Sequence, residues 1–489
     1  MPARFAATFL VAALGLAAHA RASGIATDSM RYDYRLTFSG DLSRLSVTAC
    51  FAGPPEYLIA GSNTAAHLLV DGIHFRSAKG NRTVNPRGHV VRLADAAVDD
   101  CVHYQVDAAA AGRLRDMDQG WRTPASLALS PRVWLWRPPN PGPRVRLIFH
   151  VEVPADMNFS APWQPMDKAA PGGHRVFQAN PTPIDWTGTI AVGKFISRNV
   201  AVPGARLRFA LLDGPASNAD PDLAERWVRG AAREVSTVYG RFPLGDVQVL
   251  IIPLSRGSEP APFGEVTRGG GTAVHLLMNV DAPPAEFATD WVAVHEFSHM
   301  LLPYVDRRDA WFSEGLATYY QDVLRARSGE MTPLQTWRHM EAGFERGRRD
   351  TRDTTLAQTA RRMHHDRAYM RVYWSGAAIA LMADVRLRRE SHGRQSLDTV
   401  LEKLDGCCVT PDREWRALDL MKKMDELAGR EVFVPLYRRW ALDTAFPDLT
   451  DTYRALGVPG GDGKVARLDD SAPEADIRRA IMAKRPPAE

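Results

Sequence analysis

His295, Glu296 and His299 stand in the run Val294-His295-Glu296-Phe297-Ser298-His299, within a segment of helical apolar spacing. Residues four apart on a helix share one face. Both imidazoles can therefore reach a single Zn2+ ion, and Glu296 can handle a water beside it. Without a metal, the same two histidines would be hydrogen-bonded core residues. A hydrolytic zinc site needs three protein ligands and an open position. Glu314 is the candidate third ligand, in Trp311-Phe312-Ser313-Glu314-Gly315-Leu316 beyond Pro303 and a short loop. A lone carboxylate among Trp, Phe and Leu is costly to bury unless a charge is paired with it. The alternative is a solvent-facing carboxylate near a helix start. Thr318, one turn later, is placed to hold a ligand from behind.

The surrounding elements must aim these groups. Residues 222–239 repeat Leu223, Trp227, Ala231, Val235 and Val238 at helical spacing, and Gly240 offers a C-cap. Two apolar strands are predicted over 247–253 and 272–278, the second after Gly269-Gly270-Gly271. One long helix is predicted from about Glu286 to Leu302, closed by Pro303. Beyond Gly315 the chain reads as almost wholly helical, with a capping box at Thr332-Pro333-Leu334-Gln335. From Tyr32 to Leu212 the pattern differs. Short alternating runs such as 32–38 and 144–153, broken by Pro/Gly clusters, predict antiparallel sheets in a sandwich.

A chain of 489 residues predicts several domains. The formal charge is +4 from 61 basic and 57 acidic residues. That balance gives no concentrated basic surface for nucleic acid. Arg4, the apolar run from Phe5 to Ala18 and the small-x-small triplet Ala18-His19-Ala20 form a signal peptide over 1–20. The expectation is an exported protein, periplasmic or secreted. The run falls short of the ~20 residues that span a bilayer, and no later run is as apolar, so no membrane span is expected after cleavage. Export permits disulfides. Cys50 and Cys101 both sit in strand-like sequence and are expected to pair, whereas the adjacent Cys407 and Cys408 are expected to be reduced or loosely packed. Trp134-Leu135-Trp136 reads as strand packing. His364-His365-Asp366 lies in a basic helical stretch and reads as a solvated face rather than a second metal site. The tail after Asp470 reads as loosely ordered.

The pattern H-E-x-x-H followed by W-x-x-E-G-x-A-x-Y resembles the gluzincin zinc peptidases, including aminopeptidase N relatives and the glycyl aminopeptidase family. Carried over, His295, His299 and Glu314 bind one Zn2+ and Glu296 is the general base. Tyr373-Trp374-Ser375-Gly376 resembles the Y-x-K-G segment, which makes Tyr373 the oxyanion donor. Asp384-Val385-Arg386 and Ser396-Leu397-Asp398-Thr399-Val400 are similar to the glycyl aminopeptidase pattern D-x-x-I-R…S-L-D-D-V, and Asp384 and Arg386 read as structural groups. The resemblance runs from about Ala224 to Gly457. It departs in a shorter spacer before Glu314, in Ser375 where Lys is usual, and in having no room for a terminal PDZ domain. It also lacks a G-x-M-E-N or G-G-L-E-H segment. Pro262-Phe263-Gly264-Glu265 is the nearest match, with Gly264 and Glu265 as candidate substrate-binding residues. Glu265 would anchor an amino terminus; otherwise it is a solvated loop carboxylate.

The expected architecture is multidomain α+β. A signal peptide (1–20) precedes an N-terminal β-sandwich-like domain (24–215), a thermolysin-like α/β zinc catalytic domain (216–330), a C-terminal helical domain (331–470) and a flexible tail (471–489). The expected function is zinc-dependent hydrolysis of peptide bonds in a peptide or protein substrate, with aminopeptidase favoured over endopeptidase. The competing reading is a catalytically inactive binding or assembly protein of the same fold. A retained Glu296 speaks against it, because a scaffold needs the ligands but not the base.

Overall fold

In the strand Arg31–Phe38, Tyr34, Leu36 and Phe38 turn inward while Arg35 and Thr37 stay exposed. This is the period-two pattern of a half-buried strand. The computed structural model describes residues 31–484, apart from 52, 54, 78, 94–100, 115–118, 140–144, 167–172, 181–187, 215–218, 256, 411–412 and 461–463. The predicted signal peptide and the last five residues lie outside the described residues.

Arg31–Phe38 sits near the middle of an eight-stranded sheet, flanked by Arg44–Cys50 on one side and, in parallel, by Arg146–Glu152 on the other. A four-stranded sheet of Asn158–Ser160, Ile190–Gly193, Ser126–Leu129 and Gly120–Arg122 lies against it. Its alternation explains its burial on both sides. Leu127, Leu129, Ile190 and Val192 join the core shared with the larger sheet, whereas Ala128 and Ala191 pack against Ala210, Leu212, Leu250 and Ile252 of the next sheet. Trp134 and Trp136 are fully buried in the first core. They lie in and just after the short helix Pro131–Trp134, not in the strand expected, because Ser130 caps a helix that opens on Pro131.

The central sheet has five strands: β1 (Ile196–Val202), β2 (Ala205–Leu211), β3 (Asp246–Leu254), β4 (Phe263–Thr267) and β5 (Ala273–Asn279), in spatial order β1-β2-β3-β5-β4. β2, β3 and β5 run parallel, and β4 is an antiparallel edge. β1 and β2 were expected within the N-terminal β domain. They belong here instead, because the apolar β3 needs a neighbour on its other edge, and β2 supplies it in register. Helix α1 (Pro221–Ser236) lays Trp227, Val228, Ala231 and Val235 into the core beneath this sheet.

The helix predicted from Glu286 to Leu302 is much shorter. A 3-10 turn at Pro284–Thr289 is followed by α2 (Val292–Ser298), and a second 3-10 turn at His299–Leu301 ends it. Asp290 decides the boundary. Its carboxylate accepts from the backbone N–H groups of Val292 and Ala293, the otherwise unpartnered donors of a helix start, and from Trp227 Nε1. Then come α3 (Ala310–Ser328), α4 (Pro333–Arg349, with the predicted capping box formed), α5 (Tyr369–Ser391) and α6 (Leu397–Cys408). Apolar residues from Val200 of β1 to Met482 form one continuous core, so no packing boundary separates the α/β unit from the later helices. Among the described residues, no helix is long and apolar enough to cross a membrane.

The two cysteine expectations and the one for the tail meet the structure differently. Cys50 and Cys101 are directly opposite on paired strands and form a disulfide. Cys407 and Cys408, expected reduced or loosely packed, are also disulfide-bonded. Adjacent cysteines can close that small ring without any other part of the chain moving. The tail expected to be loose contains α7 (Ala475–Met482). Ile481 and Met482 are buried in the main core, and Arg327 Nε donates to the Ile481 carbonyl at 3.0 Å. Composition alone missed this amphipathic turn because it is short and ringed by charge.

α3 and α5 cross backbone to backbone. A Cβ on Gly376 would lie 1.9 Å from the Trp311 carbonyl oxygen, and one on Gly315 would lie 2.3 Å from Gly376. Neither site has a flexible side chain that could yield. Gly376→Ala is therefore expected to force the helices apart at a cost of roughly 1–3 kcal/mol. Thermal or urea unfolding checks this, and an unchanged midpoint would show that the crossing tolerates a methyl.

Candidate metal centre

α2 presents His295, the 3-10 turn that follows it presents His299, and α3 brings Glu314 to both. His295 Nε2 lies 3.3 Å and His299 Nε2 3.4 Å from Glu314 Oε2. The potential ligand atoms all fall within 4.8 Å of one another, and among the described residues this is the one such group of three or more. Donors bound tetrahedrally at ~2.0–2.1 Å stand roughly 3.3 Å apart. Two imidazoles and a carboxylate at these separations fit a zinc ion and leave a fourth position open.

The supporting contacts sharpen the fit. His295 Nδ1 is 2.8 Å from Gln321 Oε1, within a fully packed wall. With Nδ1–H donating to Gln321, the Nε2 lone pair is left for a metal. Thr318, expected to hold a ligand, is buried but its hydroxyl has no hydrogen-bond partner among the described residues. Gln321 does that work instead, seven residues after Glu314 and so two helical turns along the same face. That spacing was a signal available in the sequence; the hydroxyl four residues on was simply too short.

Electrostatics are those of charges brought together out of water. Burial works to raise the Glu314 carboxyl, but His299 and His295 overcome it and hold it below the usual carboxylate range. Burial works to lower His295, and Glu314 and Glu296 reverse that, so its pKa rises. Burial dominates at Glu296 and pushes it up against the pull of both histidines. Each group thus compensates another, and a dication would take over that role.

Tyr373 comes from α5, and its ring stacks on His295 at 5.8 Å between centroids and 7° between planes. Burial, then the Glu314 and Glu296 carboxylates, push its pKa well above the ordinary phenol value, so it stays protonated as a donor. Gly264 and Glu265 lie on edge strand β4, not in a solvated loop. A Cβ on Gly264 would sit 2.6 Å from Glu296 Cγ and 2.9 Å from Val292 Cγ1, so only glycine lets β4 run this close to α2. Glu265 pairs across the sheet with the buried His275, Oε1 to Nδ1 at 2.9 Å. Gly264, Glu265, Glu296, His299, Glu314 and Tyr373 line one cavity of about 940 Å³, whose wall also includes Trp121, Arg268, Tyr304 and His364, while His295 is buried behind it. His364 is exposed, as expected of a solvated face, and also lines the cavity, while His365 points outward and pairs with Asp366.

The remaining motif residues are structural. Asp384 accepts from Tyr319, Arg388 and the Leu397 N–H, and Asp398 accepts from Tyr320 and Arg327, tying α3, α5 and α6 together. Arg386 pairs with Glu390 at the surface.

An aminopeptidase N family protein from Idiomarina loihiensis superposes with a TM-score of 0.62 at 14% identity, covering 92% of this chain and 78% of that one. An M1 zinc metallopeptidase from Deinococcus radiodurans gives 0.53 at 18% identity over 86% of this chain and 95% of its own. A variant of that protein bound to a Tyr-Ser-Ala substrate gives 0.52 at 18% identity, with 86% and 96% covered. The chain has the M1 zinc metallopeptidase fold. No protein-family model and no curated protein matches the sequence.

Replacing Gln321 by Met removes the acceptor that fixes His295 while keeping the volume. Loss of such an outer contact typically weakens metal binding about 10–100-fold. Competition for Zn2+ against a chromophoric chelator measures it; an unchanged affinity would show that His295 needs no such support.

Proposed function

We propose that this protein is an exported zinc-dependent peptidase that removes residues from the amino terminus of peptides. The observation that carries this reading is the meeting of His295, His299 and Glu314, with His299, Glu314, Glu296 and Tyr373 all lining one cavity. His295, His299 and Glu314 hold one Zn2+. When bound, that ion acidifies a water and polarises a carbonyl. Glu296, buried and with a raised affinity for protons, takes the proton of the attacking water and holds it for the leaving amine. The Tyr373 hydroxyl donates to the carbonyl oxygen as it gains negative charge.

Glu265 favours an aminopeptidase. Its carboxylate lines the cavity from the strand that flanks Glu296, where a substrate ammonium would find a counter-charge. β4 offers an edge along which an extended peptide can lie. The endopeptidase reading needs no such anchor. The binding-protein reading leaves Glu296 and Tyr373 without a task. Export is supported by the segment 1–20 and by two disulfides in a chain with four cysteines.

Metal analysis and a peptide digest test the proposal together. Wild type is expected to carry one zinc and to release amino-terminal residues. Glu296→Gln is expected to keep its zinc and lose turnover, and Tyr373→Phe to lose about 10²–10³ in kcat. Acetylating the substrate amine is expected to stop cleavage. Undiminished cleavage of the acetylated peptide would remove Glu265 as anchor, and full activity in Glu296→Gln would overturn the enzyme reading.

A further inference from the structure

Arg268 follows β4 and is only 9% exposed, yet it lines the cavity that holds the metal ligands. Its Nη2 makes two long contacts, each 3.4 Å, to the carbonyl oxygens of His299 and Leu302 at the end of the metal-bearing segment. Its guanidinium carbon lies 5.9 Å from the Tyr304 ring centroid. No carboxylate among the described residues lies within ion-pair distance of it. Of the glutamates lining the cavity, Glu314 meets the two histidines, Glu265 meets His275 through Oε1, and Glu296 is not within ion-pair distance of Arg268. Nε and Nη1 of Arg268 make no hydrogen bond among the described residues and are not fully buried, and the residue lines the cavity. A buried cation without a counter-charge is expensive, and a guanidinium fork fits a carboxylate with two parallel hydrogen bonds.

From this geometry we infer that Arg268 is a specificity-determining residue that receives a carboxylate of the substrate. The inference rests on the peptidase reading and names the substrate class for that site: short or acidic peptides with a carboxylate close to the scissile bond. That carboxylate is either the carboxyl terminus of a di- or tripeptide or the side chain of an Asp or Glu residue. The cavity is then two-signed. Glu265 offers a counter-charge to the amine and Arg268 one to the acid. The two contacts to backbone carbonyls do not account for the residue by themselves, since they occupy one of its three nitrogens and neutralise no charge.

Three tripeptides of matched sequence test this on the wild-type holoenzyme: a free acid, its carboxamide, and a carboxamide carrying Glu beside the scissile bond. KM is expected to be roughly 10–100-fold lower for whichever acid Arg268 receives than for the plain carboxamide, with kcat little changed. The free acid gaining identifies the terminal carboxylate, and the Glu peptide gaining identifies the side chain. In Arg268→Met, which keeps the apolar stem, the preference is expected to vanish while carboxamide turnover persists. Arg268→Lys, which keeps the charge but not the fork, is expected to restore part of it. Equal KM for all three peptides in wild type would overturn the inference and leave the peptidase reading intact. So would an acid preference that survives Arg268→Met. Calorimetric binding of the free acid and the carboxamide to Glu296→Gln supplies a readout without turnover. If wild type cleaves nothing but the acid binds more tightly in an Arg268-dependent way, the peptidase reading falls and the carboxylate site stands.

Discussion

Everything at the metal centre depends on how closely α3 and α5 approach. Gly315 and Gly376 let the two backbones touch, with no room for a methyl group between them. Glu314 immediately precedes the first glycine, and Tyr373 lies one turn before the second. The crossing therefore places the candidate metal ligand Glu314 and the Tyr373 phenol in a single act. The glycines of the E-G and Y-x-x-G motifs are explained as steric necessities. Further along, Asp384 of α5 and Asp398 of α6 collect hydrogen bonds from Tyr319, Tyr320, Arg327 and Arg388, all buried, and tie the crossing helices to α6.

A second close approach mirrors the first. β4 passes α2 at Gly264, again with no space for a side chain, and brings the edge strand beside Glu296. The cavity is thus bordered by two tight contacts between rigid elements. Rigid placement matters because the charges inside repel or desolvate one another. Glu296 and Glu314 are both carboxylates in a poorly hydrated wall. They respond in opposite directions, one gaining proton affinity and one losing it, because only Glu314 faces both imidazoles at contact distance. One carboxylate is left suited to holding a proton and the other to holding a cation.

Much of this was legible one segment at a time. The two histidines at helical spacing, the carboxylate in an apolar stretch and the capping box at Thr332 follow from local rules and appear where those rules put them. Lengths and boundaries were less legible. The metal-bearing helix is cut to Val292–Ser298 by the Asp290 cap and a 3-10 ending, although its apolar spacing extends further. The strands from Ile196 to Leu211 read as part of the β-rich region, because alternation says that a strand exists but not which sheet it joins.

By itself the sequence determined the donor types, their positions along the helices and the glycines that any close packing would require. Those are properties of single segments, set by side-chain chemistry and helical period. Only the tertiary structure decided that Gln321 rather than Thr318 supports His295, that Glu265 faces His275 on an edge strand, and that Arg268 opens onto the same cavity without a counter-charge. It also decided that the last helix docks into the main core and that Cys407 bonds its neighbour. Each of these depends on which elements meet across long sequence separations, and no local periodicity encodes a meeting between segments.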